Sequence, residues 1–152
     1  MNGTIETIKV FSAKGDPGKE VTEARLIENS GLEGDFHATG GERQISFLFT
    51  DDSKQMALQK EKGLCFSRFK GNITVSLQSG KDGQVLCAIA GGTRLYCGDA
   101  VLEITSVIKH CFEECVLFNT QQTCPLAGKS LFARVLKSGT ICSGSSIKIH
   151  NY

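Results

Sequence analysis

Two cysteines four residues apart carry the most chemical promise in this chain: Lys109-His110-Cys111-Phe112-Glu113-Glu114-Cys115. The thiolate is the reactive form of cysteine, and neighbouring positive charge or a helix N-terminus favours it. Lys109 and His110 supply the first, and a helix beginning near Cys111 would supply the second. Cys115, one turn into such a helix, would face the same way and serve as a resolving thiol or a soft metal ligand. A structural cysteine at a strand end explains Cys111 equally well on spacing alone. Cys111, Cys115, Cys124 and His110 also invite a zinc reading. The C-x3-C spacing is in range, but no second pair with knuckle spacing accompanies it.

Two polar clusters lie earlier in the chain. In Gly34-Asp35-Phe36-His37-Ala38, an acid and a histidine two apart on an extended segment share a face and could do acid–base work or anchor a ligand. An Asp-initiated turn with a surface histidine is the plainer alternative. Arg43 follows close behind. In Arg68-Phe69-Lys70-Gly71-Asn72 the arginine suits a phosphate or carboxylate, and Asn72 after Gly71 suits a tight turn. An exposed basic turn accounts for that cluster nearly as well. No Walker loop, G-x-G-x-x-G, H-E-x-x-H or G-x-S-x-G occurs, which argues against ATPases, dinucleotide enzymes, zinc proteases and serine hydrolases.

The elements that must position these groups are mostly short strands punctuated by glycine. Strand patterns run over Thr4–Phe11, Val21–Glu28 (ended by Asn29-Ser30-Gly31), Gln44–Phe49, Asn72–Leu77, Val85–Ile89, Val101–Ile108 and Ser146–Ile149. One helix is expected from a Thr50 cap through Asp51 and Asp52 to Lys60, Lys62 and a terminating Gly63. A shorter one is expected over Glu113–Phe118. Many strands and few helices predict a mainly β chain, an antiparallel barrel or sandwich, in one domain over residues 1–152.

Composition sets the outer limits. The chain has 152 residues, enough for one domain with a substantial core, with 40% hydrophobic and 22% charged residues. Its 17 basic and 16 acidic residues give a net charge of +1, so no global field draws it to nucleic acid or an anionic membrane. No apolar run approaches the ~18–20 residues that span a bilayer, and the first 20 residues hold no apolar signal core. Seven cysteines, an odd number, then point to free thiols in a reducing cytoplasm. Cys87, inside Val85-Leu86-Cys87-Ala88-Ile89, reads as core.

Taken in order, several segments resemble the MOSC domain, the module at the C-terminus of molybdenum cofactor sulfurases that also occurs alone. They are Gly31–Ala38, Arg43–Ser46, Arg68–Thr74, Gly98–Thr105, Lys109-His110-Cys111 with Cys115, and Leu131–Ile141. The likeness runs from about Glu6 to Ile149. It implies a MOSC-type β-barrel with a few short helices and a cleft holding a reactive cysteine, by position Cys111. It further implies that this cysteine carries sulfur as a persulfide for molybdenum-cofactor or metal-sulfur cluster assembly, or, in a cofactor-binding module or reductase component, ligates the metal of the molybdenum cofactor while Arg43, Arg68, Asn72, Lys109 and Arg134 hold the cofactor. A cysteine desulfurase or other sulfur donor, and the proteins of cofactor biosynthesis or molybdoenzymes, would be the partners. A thiol redox or metal-binding protein using Cys111 and Cys115 is the non-enzymatic alternative. Pyridoxal phosphate belongs to a separate domain of the long sulfurases, so none is expected to bind this chain alone. Two departures stand out. Gly144-Ser145 replaces a frequent Gly-Asp turn, and the N-terminal barrel of the long reductases is missing, which argues against a self-sufficient reductase. On the resemblance, Asp35, His37, Arg43, Arg68, Asn72 and Arg134 should converge on the cleft around Cys111.

Overall fold

The computed structural model describes residues 1–59, 61–66, 68–78, 89–106, 111–122, 124, 126 and 131–150, without the side chains of Asp52 and Gln55. Its frame is a closed barrel of seven strands. In barrel order these are β11 (Ser146–His150), β7 (Arg94–Cys97), β8 (Ala100–Ser106), β9 (Leu131–Lys137), β5 (Ile45–Phe49), β6 (Ile73–Leu77) and β1 (Asn2–Val10). The ring closes where Asn2, Gly3 and Thr4 pair with Lys148, Ile147 and Ser146. Glycine is required at that seam: a Cβ on Gly3 would sit 2.7 Å from the Ser76 carbonyl oxygen and 3.0 Å from the Ile147 side chain. A short strand, β2 (Lys19–Val21), pairs with Ile8–Val10 at the other end of β1 from this closure. The remaining strands, β3 (Glu23–Ile27), β4 (Gly31–Leu32) and β10 (Gly139–Cys142), form a second sheet in the order β10-β3-β4.

Period-two alternation fills the lumen. Ala100, Leu102 and Ile104 of β8 point inward, as do Leu131, Ala133 and Val135 of β9 and Ile147 and Ile149 of β11, joined by Ile45, Phe47 and Ile73. Each large side chain so buried stabilises the fold by roughly 1.5–3 kcal/mol relative to exposure. The lumen is therefore core, and any site must lie on the wall or at an end.

Several expectations change. The barrel is not wholly antiparallel, because β5 and β6 run parallel, with Phe47 opposite Ile73. Parallel neighbours need a crossover, and residues 50–72 provide it, including helix α1 (Thr50–Leu58). That helix stops well before Gly63. Met56 is buried on it while Leu58 is 80% exposed, so little packing rewards a further turn. Thr50 is its first helical residue rather than its cap, and the buried Thr50 hydroxyl has no hydrogen-bond partner among the described residues.

The expected strand Val21–Glu28 breaks at Thr22, where the chain leaves the barrel for the second sheet. Gly31 opens β4 instead of ending a strand. The second helix, α2, covers only Val116–Asn119. Alternation does not reveal β9, because Phe132 and Leu136 on its outer face are as apolar as the residues inside. Residues 85–88, with Cys87, and residues 107–108 lie outside the described residues.

Candidate functional site

The polar clusters meet on the outer wall of the barrel. Ser46 of β5 faces outward between the core residues Ile45 and Phe47, and it pairs directly with Phe132 of β9. On the other side, the Asn72 N–H donates to the Ser46 carbonyl (3.0 Å), and the Lys9 N–H of β1 donates to the Asn72 carbonyl (2.7 Å). One cross-strand row thus carries Phe132, Ser46 and Asn72. Above it lies a cavity of about 270 Å³ lined by His37, Arg43, Ser46 and Asn72, and by Arg68, Phe69, Lys70 and Phe132.

A buried hydrogen-bond network fixes this wall. Asn72 is 1% exposed, and its Nδ2 donates to Asp35 Oδ2 (2.8 Å) and to the Lys9 carbonyl (3.2 Å). Its Oδ1 accepts the Ser46 N–H (3.1 Å). The Ser46 hydroxyl lies 2.5 Å from the Lys70 carbonyl oxygen and accepts the Asn72 N–H (3.1 Å). Asn72 is thus a structural hub and not the tight-turn residue that its place after Gly71 suggests.

The Asp35 carboxylate is saturated. Its Oδ2 also accepts the Phe11 N–H (2.8 Å), and its Oδ1 takes the His37 N–H (2.9 Å) and His37 Nδ1 (2.8 Å). The segment is an Asp-initiated turn, as the Ala38 N–H bond to the Asp35 carbonyl shows, and not an extended strand. The histidine is nevertheless no free surface group. A carboxylate only accepts, so Nδ1 carries the proton toward Asp35 and Nε2 is the nitrogen left for the cavity. Asp35 orients His37 and does not itself line the cavity. Gly31 permits the approach of this turn: its φ is +142°, and a Cβ there would lie 3.1 Å from both Ala38 Cα and the Gln44 carbonyl oxygen.

Charge on the lining is one-sided. Arg43, Arg68 and Lys70 contribute three cations, and no carboxylate among the described residues lines the cavity. Aromatic rings hold two of these groups: the Arg43 guanidinium lies 4.9 Å from the Phe132 ring centre and the Lys70 amine 5.7 Å from that of Phe11. Phe69 meets Phe132 edge-on at 6.0 Å. Three donor-rich cations without a competing carboxylate among the described residues suit an anionic group such as a phosphate.

Of the expected residues, His37, Arg43, Arg68 and Asn72 come together at this cavity, with Asp35 directly behind. Arg134 does not line it: its guanidinium is engaged by Glu103 (2.7 Å) and Glu42 (3.4 Å) on the barrel exterior. Lys109 and His110 lie outside the described residues. Ser46, Phe69, Lys70 and Phe132 were not singled out as site residues from the sequence. The signal for Ser46 is a polar residue between two core positions, and for Phe132 its place two residues before Arg134 on the same strand face.

Cys111 is exposed. The helix start expected at Cys111 falls instead at Cys115, whose backbone is extended (φ −72°, ψ 126°), and Val116 is the first helical residue. Cys115 is buried and closes a turn by donating its N–H to the Phe112 carbonyl (3.0 Å). The two thiols therefore do not share a helix face. Their segment belongs to the connection between β8 and β9, which leaves the barrel after Ser106 and returns at Leu131. Ser106 sits opposite Phe132 in the ladder and Leu131 precedes it in the chain, so both ends of the connection adjoin one lining residue. Cys124 and Leu126 of the same connection pack in a small cluster with Phe69, a lining residue. Cys97, in contrast, is core, and burial pushes its thiol pKa up to about 12.

Against known structures, the whole chain superposes on YuaD from Bacillus subtilis with a TM-score of 0.68 at 19% identity, covering 97% of that protein. Against YiiM from Geobacillus stearothermophilus the TM-score is 0.64 at 17% identity, over 98% of this chain and 75% of that one. YiiM from Escherichia coli gives 0.59 at 14%, over 98% and 70%. Both YuaD and YiiM are MOSC-domain proteins. The fold is the MOSC fold. No protein-family model and no curated protein matches the sequence. No helix among the described residues is long and apolar enough to cross a membrane.

Proposed function

We propose that this MOSC-fold chain uses the outer-wall cavity and Cys111 as one site for a sulfur-linked, anionic cofactor, the molybdenum cofactor of the family it resembles. The observation that carries this reading is the lining: three cations, no carboxylate among the described residues, and a histidine oriented by a buried acid. Arg43, Arg68 and Lys70 would hold the anionic group, His37 Nε2 would hydrogen-bond it, and Cys111 would ligate the metal, which is thiophilic. When bound, that cofactor supplies a redox-active metal centre. The chain itself supplies charge neutralisation, a wall of Phe69 and Phe132, and an exposed thiol on a connection whose ends adjoin Phe132. Molybdenum and pterin should copurify with protein made in molybdenum-replete cells, and both should fall in Arg43→Gln/Arg68→Gln. Wild-type protein without either would end the cofactor reading.

A sulfur-carrying role is the second reading, and the exposure of Cys111 favours it. In that role the Cys111 thiolate attacks the terminal sulfur of a donor persulfide. A new S–S bond forms on Cys111, the donor's S–S bond breaks, and the donor leaves as its thiolate. A cysteine desulfurase is the donor of choice and a cofactor-assembly protein the acceptor, with the exchange taking place in the cytoplasm. Persulfide on Cys111 after incubation with a desulfurase and cysteine supports this reading. Persulfide confined to other cysteines excludes it.

A further inference from the structure

The turn that carries Arg43 is held from behind by a row of polar side chains on the barrel exterior. Glu103 of β8 and Arg134 of β9 are ladder partners, and the guanidinium sets Nη2 2.7 Å and Nε 3.2 Å from Glu103 Oε1. The same guanidinium places Nη1 3.4 Å from Glu42 Oε1. The Thr105 hydroxyl donates to the Glu42 carbonyl. On the other side of Arg43, the buried Gln44 accepts the Val135 N–H (2.9 Å) and donates to the Gly41 carbonyl (2.9 Å). Both neighbours of Arg43 are thus tied to β8 and β9. Arg43 itself bends onto Phe132, the residue two before Arg134 on the same face of β9.

We propose that Arg134 is a positioning residue: held by Glu103, it binds Glu42 and so sets the Arg43 guanidinium over Phe132 at the cavity. This deepens the anion-pocket reading and rests on it for its purpose, though not for its geometry. It gives Arg134 a different task from the direct cofactor contact that the family resemblance implies. The carboxylates of Glu103 and Glu42 make that contact unnecessary, because they already satisfy its forks.

The decisive variant is Glu42→Gln, since the two accounts differ in sign. Removing a carboxylate beside a cationic cavity should strengthen anion binding if only the summed charge matters. If Glu42 positions Arg43, binding of inorganic phosphate should weaken instead, by about threefold, the scale of one partly exposed ion pair. Arg134→Gln should weaken it further, Arg134→Lys should recover part of the loss, and neither change should add to Arg43→Gln. A readout without ligand runs alongside. The Arg43 side-chain NMR signals should carry the ring-current shift of Phe132 in wild-type protein, lose it in Glu42→Gln and Arg134→Gln, and keep most of it in Arg134→Lys. Unchanged Arg43 signals in Glu42→Gln and Arg134→Gln, or no shift in wild-type protein, would overturn the proposal whether or not phosphate binds. Loss of the shift in a protein that binds no phosphate would uphold the clamp and sink the anion-pocket reading alone.

Discussion

In the cavity wall and directly behind it, Asn72 and Asp35 have their side-chain polar atoms committed to backbone and side-chain partners on β1, β5 and the turn around His37. In the segment from Cys111 to Asn119 the balance is reversed: Cys111 is exposed, as are Phe112 (47%), Val116 (52%) and Phe118 (51%). The contrast matches two different tasks. Recognising an anion needs donors fixed in direction, and a saturated buried network fixes them because each partner left unpaired would cost free energy. A thiol that exchanges sulfur or takes a metal needs access, which its exposed place on the long connection between β8 and β9 supplies.

Substitutions at the two regions should therefore differ most in stability. Asn72→Ala removes partners from Asp35, Ser46 and the Lys9 carbonyl at once, and should cost about 3 kcal/mol in urea unfolding. Cys111→Ser should stay within about 0.5 kcal/mol of wild type. Equal losses would erase the distinction between a rigid wall and an accessible thiol.

A pH dependence separates the core thiol from the exposed one. Cys97 titrates at about 12 in the folded protein and near 9.0 when unfolded, so the folded state holds the proton longer. Its contribution is fully present below pH 9 and is lost as pH rises from there toward 12. By pH ~10.5 the loss should reach about 2 kcal/mol, and Cys97→Ala should remove this part of the pH dependence. A Cys97→Ala protein with the same alkaline slope would show that burial of this thiol does not govern it.

The smallest expected difference lies within the thiol segment itself. Under limited alkylation of the native protein at neutral pH, Cys111 should be modified before the buried Cys115, as mass spectrometry of the labelled peptides would show. Labelling of Cys115 at the same rate would mean that this segment opens readily and does not present a single thiol.

Much of the barrel was legible because period-two alternation survives wherever one strand face is apolar and the other polar, as in β8 and β11. It was not legible in β9, where Phe132 serves the cavity and so makes the outer face apolar too. The parallel β5–β6 pair escaped for a different reason: the crossover helix was visible, but nothing in its residues states that it returns the chain in the same direction. In the site, clusters of charge announced Arg43, Arg68 and His37. Their support was harder to foresee, since Asn72 after a glycine has the local signature of a turn and becomes a hub only through Asp35, 37 residues away in sequence. The thiol segment was misjudged by extending a helix through two glutamates that favour one. The helix instead starts at Val116, next to the buried Leu117.

If the basic wall and Cys111 act as one site, the wall's charge must reach the thiol. The most direct test compares the rates at which Cys111 reacts with a dianionic aromatic disulfide and with a neutral disulfide of similar size. In wild-type protein the anionic reagent should hold an advantage, because cations within about a Debye length, ~8–10 Å, concentrate it at the thiol. Arg43→Gln/Arg68→Gln should cut that advantage several-fold and leave the neutral rate unchanged. A rate ratio that is the same in wild type and in the double variant would contradict the account, separating the thiol from the cavity.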